Sequence, residues 1–149
     1  MTESLSNNTS KAPWHFWVIS IVGFLWSLMG AMDYVMTQTR NEEYMSAFTP
    51  EQLEFFYGFP VWVVASWAIA IWGEVVGTIL LILRKSSATI ALLASLIAMF
   101  ITFVHNYILS NGLEVIGGTF ELVFTGVIVI VAIGLYMYAK AMDKKGILS

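Results

Sequence analysis

Five side chains with usable chemistry interrupt the apolar stretches of this sequence: Asp33, Glu74, His105 with its neighbour Asn106, and Glu121. Carboxylates and an imidazole in apolar surroundings can exchange protons, hydrogen-bond across a helix bundle, or share a first-row metal ion through mixed N/O ligation. His105 with Asp33 and Glu121 would supply such a mixed set, but no second His or ligand-spacing motif accompanies them. His15 and His105 fall at opposite ends of their apolar stretches, so they cannot both serve one haem iron. Cys is absent, and there is no Ser-His-Asp arrangement, Walker loop or GxGxxG. The expectation is a protein that is not an enzyme and uses no cofactor or metal.

The elements that must position these groups follow from composition. The chain has 149 residues, 58% of them hydrophobic and 11% charged. An average soluble domain carries roughly 25% charge. A soluble domain of this size buries only about two-thirds of the surface it exposes unfolded, too little to hide so much apolar area. The formal charge of −3 and the lack of a basic patch argue against a nucleic-acid partner. What remains is an integral membrane protein whose first partner is the lipid bilayer.

About 20 predominantly apolar residues are needed for a helix to cross the hydrocarbon core. Four stretches meet this, at about 14–36, 61–83, 87–109 and 118–139, and the expected fold is an all-α four-helix transmembrane bundle. Residues 1–13 read as a disordered polar tail, with glycosylation-type triplets at Asn7 and Asn8, and 140–149 as a basic tail. The turn Arg84-Lys85-Ser86-Ser87 makes spans two and three antiparallel neighbours, and Ser110-Asn111-Gly112 ends the third. In the first connection, Thr49 as N-cap, Pro50 at the first position and Gln52 closing a capping box mark a helix start. Leu53, Phe56 and Tyr57 share one side of it, predicting a short amphipathic helix on the membrane surface.

Positive charge orients the bundle. Lys11, Arg84, Lys85, Lys140, Lys144 and Lys145 fall on one side and Arg40 alone on the other, with Glu42, Glu43, Glu51, Glu54 and Glu114. The positive-inside rule then puts both termini in the cytoplasm and the amphipathic helix outside. The N-terminus lacks the short apolar run and cleavage site of a secretory signal, and the compact loops suggest a bacterial inner membrane.

At about 1.5 Å per residue, Asp33, His105, Asn106 and Glu121 come to lie near the outer surface, where they could form one ring capped by the amphipathic helix. Glu74 stands apart, roughly 20 Å along span two and near mid-membrane. Ser66, Ala70, Gly73, Glu74 and Gly77 form one stripe, and Gly73 to Gly77 is a GxxxG. Small residues let membrane helices approach closely, so Ala70, Gly73 and Gly77 are a helix-packing face, available within the bundle or for a second copy. Small and polar residues also line up at Ser20, Gly23, Ser27, Gly30 and Tyr34 in span one, at Ala91, Ser95, Ala98, Thr102 and His105 in span three, and at Gly118, Glu121, Thr125 and Ala132 in span four, so Glu74, His105 and Glu121 are expected to look into the bundle. Two readings of the polar groups stand side by side. One is an outward cavity with Glu74 as a deeper proton-exchanging carboxyl, suited to proton-linked movement of a small solute. The other is plain structure: outer groups bonding across the bundle at headgroup depth, and a protonated Glu74 bonded to a carbonyl. Trp14, Trp17, Tyr136 and Tyr138 mark one interface and Tyr57 and Trp62 the other, while Trp26, Trp67 and Trp72 lie deeper as packing or cavity residues.

Across its length the chain resembles small four-span, DoxX-like bacterial membrane proteins. The similarity is carried by Trp26-Ser27-Leu28-Met29-Gly30 leading to Tyr34, by Phe59-Pro60-Val61-Trp62, by Leu80-Leu81-Ile82-Leu83-Arg84-Lys85, and by Ser95-Leu96. The resemblance implies an inner-membrane protein, either a sugar-transporter-like permease or an accessory subunit of a membrane-bound redox complex. It transfers no site residues. Four spans enclose little space alone, so a homo-oligomer or larger membrane complex is expected.

Overall fold

Residues 10–149 are described by a computed structural model; the Asn7 and Asn8 triplets and most of the polar N-terminal tail lie outside them. Helices make up about four-fifths of the described residues, and no strand occurs among them. Four helices are long and apolar enough to cross a membrane: α1 (Trp14–Gln38), then α4 (Val61–Ile82), α5 (Ser87–Val104) and α7 (Thr119–Lys144). The α5 rod is prolonged to Leu109 by a π-helical turn, His105–Leu109. Short helices fill the connections: α2 (Glu42–Met45), α3 (Pro50–Tyr57) and α6 (Gly112–Val115). At 1.5 Å per residue the long helices measure roughly 33–39 Å, enough for a hydrocarbon core of about 30 Å.

Capping differs between the two kinds of helix. α2 and α3 carry polar side-chain caps, Asn41 Oδ1 accepting from Tyr44 N and Thr49 Oγ1 from Gln52 N, with Gln52 Oε1 returning the favour to Thr49 N–H. The four long helices have no side-chain N-cap. Instead α1, α4 and α7 close with the same C-terminal device. Lys85 N–H donates to the Leu80 carbonyl and Arg84 N–H to Leu81; Asn41 and Arg40 do so at the end of α1, and Ile147 and Gly146 at the end of α7. This doubly bonded reversal needs a left-handed residue, supplied by Arg84 (φ 58°), Arg40 (φ 52°) and Gly146 (φ 74°).

The antiparallel rods pack in sequence order, α1 on α4, α4 on α5 and α5 on α7. The α4–α5 seam is the closest. A Cβ added at Gly73 would stand 3.1 Å from Ser95 Cβ, one at Gly77 only 2.7 Å from Leu92, and Ser95 Oγ donates to the Ala70 carbonyl at 2.5 Å. The Ala70–Gly73–Gly77 face is thus filled by α5 of the same chain and is not free for a second copy.

Packing is graded along the bundle axis. At the end where the termini meet, Phe16, Leu81, Leu92, Leu135 and Met142 form a core with Ile147 and Leu148, so the segment after α7 folds back rather than trailing away as a basic tail. Arg84 knots this end: Nε donates to the Ile147 carbonyl, Nη2 to the Ser10 carbonyl, and its own carbonyl accepts from Ser149 N–H. A smaller core of Ala70, Ala98, Met99 and Ala132 lies further along. Beyond it α7 contributes nothing buried: no residue from Thr119 to Val131 is enclosed. At the loop end the bundle is splayed.

Candidate functional site

The splay leaves a cavity of about 360 Å³ between the loop-end halves of α1, α5 and α7, roofed by α3 and the residues before it. Ligand pockets typically measure about 300–1,000 Å³. Three sequence candidates line it: Asp33 from α1, Asn106 from the π turn and Glu121 from the first turn of α7. His105 and Glu74 do not.

Asp33 is fixed by a residue from the following connection. The left-handed Arg40 reverses the chain so that α2 returns along α1, and Tyr44 Oη donates to Asp33 Oδ1 at 2.5 Å. Burial first, and then the hydrogen bond and charge of Asp33, push the Tyr44 hydroxyl up to about 12 from its ordinary 10. Tyr44 therefore stays a donor to the carboxylate throughout the neutral range. Buried Met45 pins α2 in place.

Asn106 owes its position to the π turn. The stripe Ser95–Ala98–Thr102 continues to Asn106, which is 8% exposed, while His105 turns to the other side of α5. Ser110 Oγ donates to the His105 and Asn106 carbonyls, satisfying acceptors freed by the irregular turn. α6 presses onto the same turn: a Cβ at Gly112 would come within 1.9 Å of the Asn106 carbonyl oxygen, so only glycine fits. π turns often mark functional positions.

His105 Nδ1 lies 3.1 Å from Asn106 Oδ1, and its ring sits edge-on to Phe59 and Trp62. It faces a separate outer groove with Glu51, Glu54 and Glu114. The expected ring is therefore divided, with Asp33, Asn106 and Glu121 in one cavity and His105 behind its wall. Among the described residues no three His, Asp or Glu side chains converge as metal ligands.

Glu74 lies seven residues, about 10 Å, beyond Trp67, the α4 residue that lines the cavity. Its Oε1 is enclosed without a hydrogen-bond partner. One turn further, Thr78 Oγ1 donates to the Glu74 and Val75 carbonyls and lies 3.2 Å from Ser27 Oγ, a polar contact joining α1 and α4. Ser20 Oγ, deeper on α1, is a second enclosed atom without a partner. Unpaired buried polar atoms cost about 1–3 kcal/mol each, which makes Glu74 an expensive residue to keep at this depth.

Further residues complete the lining, among them Trp67, which the sequence offered as a packing or cavity residue. Gln52 comes from α3, and Tyr107 Oη lies 3.2 Å from Thr125 Oγ1, tying α5 to α7 across the wall. Phe48, Phe56, Phe59 and Trp67 form a run of ring contacts 5.6–6.1 Å apart on one side, and Phe120 and Phe124 stack at 6.2 Å on the other. The sequence marks Trp67 as a packing or cavity residue and Phe56 on the apolar side of its helix, but not their grouping with the other rings, which come from separated segments.

Comparison with known proteins found no matching family model, curated protein or solved structure. The all-helical fold, with four helices able to span a membrane, is consistent with a multi-pass membrane protein.

Proposed function

We propose that this chain is a small-solute transporter or permease subunit that admits its solute through the loop-end cavity, with Glu74 as a proton-linked carboxyl deeper on the same route. The observation that carries this reading is the cavity itself: an otherwise close-packed bundle opens at one end around Asp33, Asn106 and Glu121. Six of the seven Lys and Arg lie at the opposite end, where the termini meet. This supports an arrangement with the cavity facing outward, both termini cytoplasmic and the chain in a bacterial inner membrane. The DoxX-like resemblance fits the same setting. A homo-oligomer would use faces other than Gly73 and Gly77.

The test is reconstitution into liposomes with a pH gradient. Solute-dependent proton flux is expected for the native chain, and Glu74→Gln should abolish it while leaving the protein monodisperse and helical. Absence of flux with every class of small solute would end the transport reading. It would favour an accessory subunit of a larger membrane complex, such as a redox complex. The α7 stretch from Thr119 to Val131, in which no residue is fully enclosed, supports that second reading.

A further inference from the structure

Resting on the proposed solute route, the cavity's chemistry narrows the solute class: we infer that it takes a small organic cation, a monovalent ammonium-type charge on an apolar body. Two carboxylates, Asp33 and Glu121, line the cavity, and among the described residues no Lys, Arg or His does. An anion would meet uncompensated repulsion. A neutral solute would displace water from Asp33 and leave that carboxylate with the Tyr44 hydroxyl but no countercharge among aromatic walls, a costly state for a charge. A cation pairs with them. The walls suit the rest of such a molecule. Trp67, Phe59 and Phe56 on one side and Phe120 and Phe124 on the other offer ring faces and edges with centroids 6.0–6.2 Å apart, and aromatic faces attract cations through their quadrupoles. Asn106, more than nine-tenths buried, and the Tyr107–Thr125 hydroxyl pair provide a limited polar surface for orientation.

The approach is biased in the same sense. Glu42, Glu43, Glu51, Glu54 and Glu114 surround the loop end. Arg40, the one Lys or Arg there among the described residues, lies over the Tyr57 ring with its guanidinium carbon 4.3 Å from the centroid. An acidic rim raises the local concentration of cations and accelerates their capture.

The experiment measures binding by the purified full chain in mild detergent, by calorimetry, with benzyltrimethylammonium, phenylacetate and glucose as probes. Benzyltrimethylammonium should bind at least tenfold more tightly than either of the others and weaken as salt is raised. Glu121→Gln, at an exposed position, should weaken it several-fold, and Asp33→Asn with Glu121→Gln at least tenfold. Trp67→Leu should weaken the cation while leaving its salt dependence. Preferential binding of glucose or phenylacetate overturns the cation assignment and leaves a solute cavity standing. Cation affinity unchanged by Glu121→Gln and by the double variant overturns it too. Failure of all three probes to bind at millimolar concentration overturns both the assignment and the cavity as a solute route.

Discussion

Substituting Gly77 by alanine tests whether the small-residue face of α4 serves the fold of one chain. The added Cβ would lie 2.7 Å from both Leu92 Cγ and Cδ2 and 3.3 Å from Leu92 N. Leu92 cannot swing clear, because it is 3% exposed and belongs to the core around Phe16 and Leu81. Overpacking of this kind costs about 1–3 kcal/mol, against a gain of up to ~1 kcal/mol from replacing a helical glycine by alanine. Gly126 on α7 supplies the control, since a Cβ there meets nothing within 4 Å. Gly126→Ala carries the helix gain without the clash, so the stability difference between the variants isolates the overpacking term at about 1–3 kcal/mol. Reversible unfolding in mixed detergent and SDS micelles, followed by circular dichroism, reads it. Adding Leu92→Ala to Gly77→Ala should recover part of the loss relative to additivity, by about 0.5–3 kcal/mol. Equal stability of Gly77→Ala and Gly126→Ala would refute the α4–α5 geometry. Loss of an oligomer with no change in monomer stability would instead place Gly77 between chains.

The clasp at the terminal end and the α1–α2 latch give two further expectations. Arg84→Ala and Arg84→Gly both lose the guanidinium bonds to Ile147 and Ser10, but Arg84 sits at φ 58°, so the glycine variant should be the more stable by ~1 kcal/mol; thermal unfolding in detergent measures it, and the reverse order would count against the left-handed turn. Tyr44 has its hydroxyl raised to about 12 when folded, so its contribution is complete below pH 10 and is lost as pH rises through 12. Native protein should therefore lose more stability between pH 9 and 12 than Tyr44→Phe; parallel curves would rule out the Asp33 latch.

The readability of this protein divides by the range of the signals. Long apolar runs made α1, α4, α5 and α7 visible, because crossing hydrocarbon demands continuous helix whatever the neighbours do. Thr49-Pro50-Glu51-Gln52 marked the start of α3, since a capping box is bonded within four residues. The extent of the last span was not visible: α7 runs on to Lys144 and the chain then folds back over Leu148, because burial of Ile147 and Leu148 depends on the α4–α5 turn they meet. The candidate residues were readable as out-of-place polar groups, but their grouping was not. Residues 105 and 106 both border the Ser95–Thr102 stripe, and the π turn with Gly112 against it decides that Asn106 faces the cavity.

What the sequence by itself determined is therefore the four helices long and apolar enough to cross a bilayer and the polar groups that interrupt them. Those follow from composition and from periodicities of a few residues, which need no partner to be expressed. The tertiary structure decided that the terminal end is closed and the loop end open, that Gly73 and Gly77 serve α5, and that Asp33, Asn106 and Glu121 share a cavity while His105 and Glu74 do not. Each of those outcomes depends on contacts between residues tens of positions apart. Only a packed bundle fixes which side of a helix meets which neighbour, and where the packing gives out.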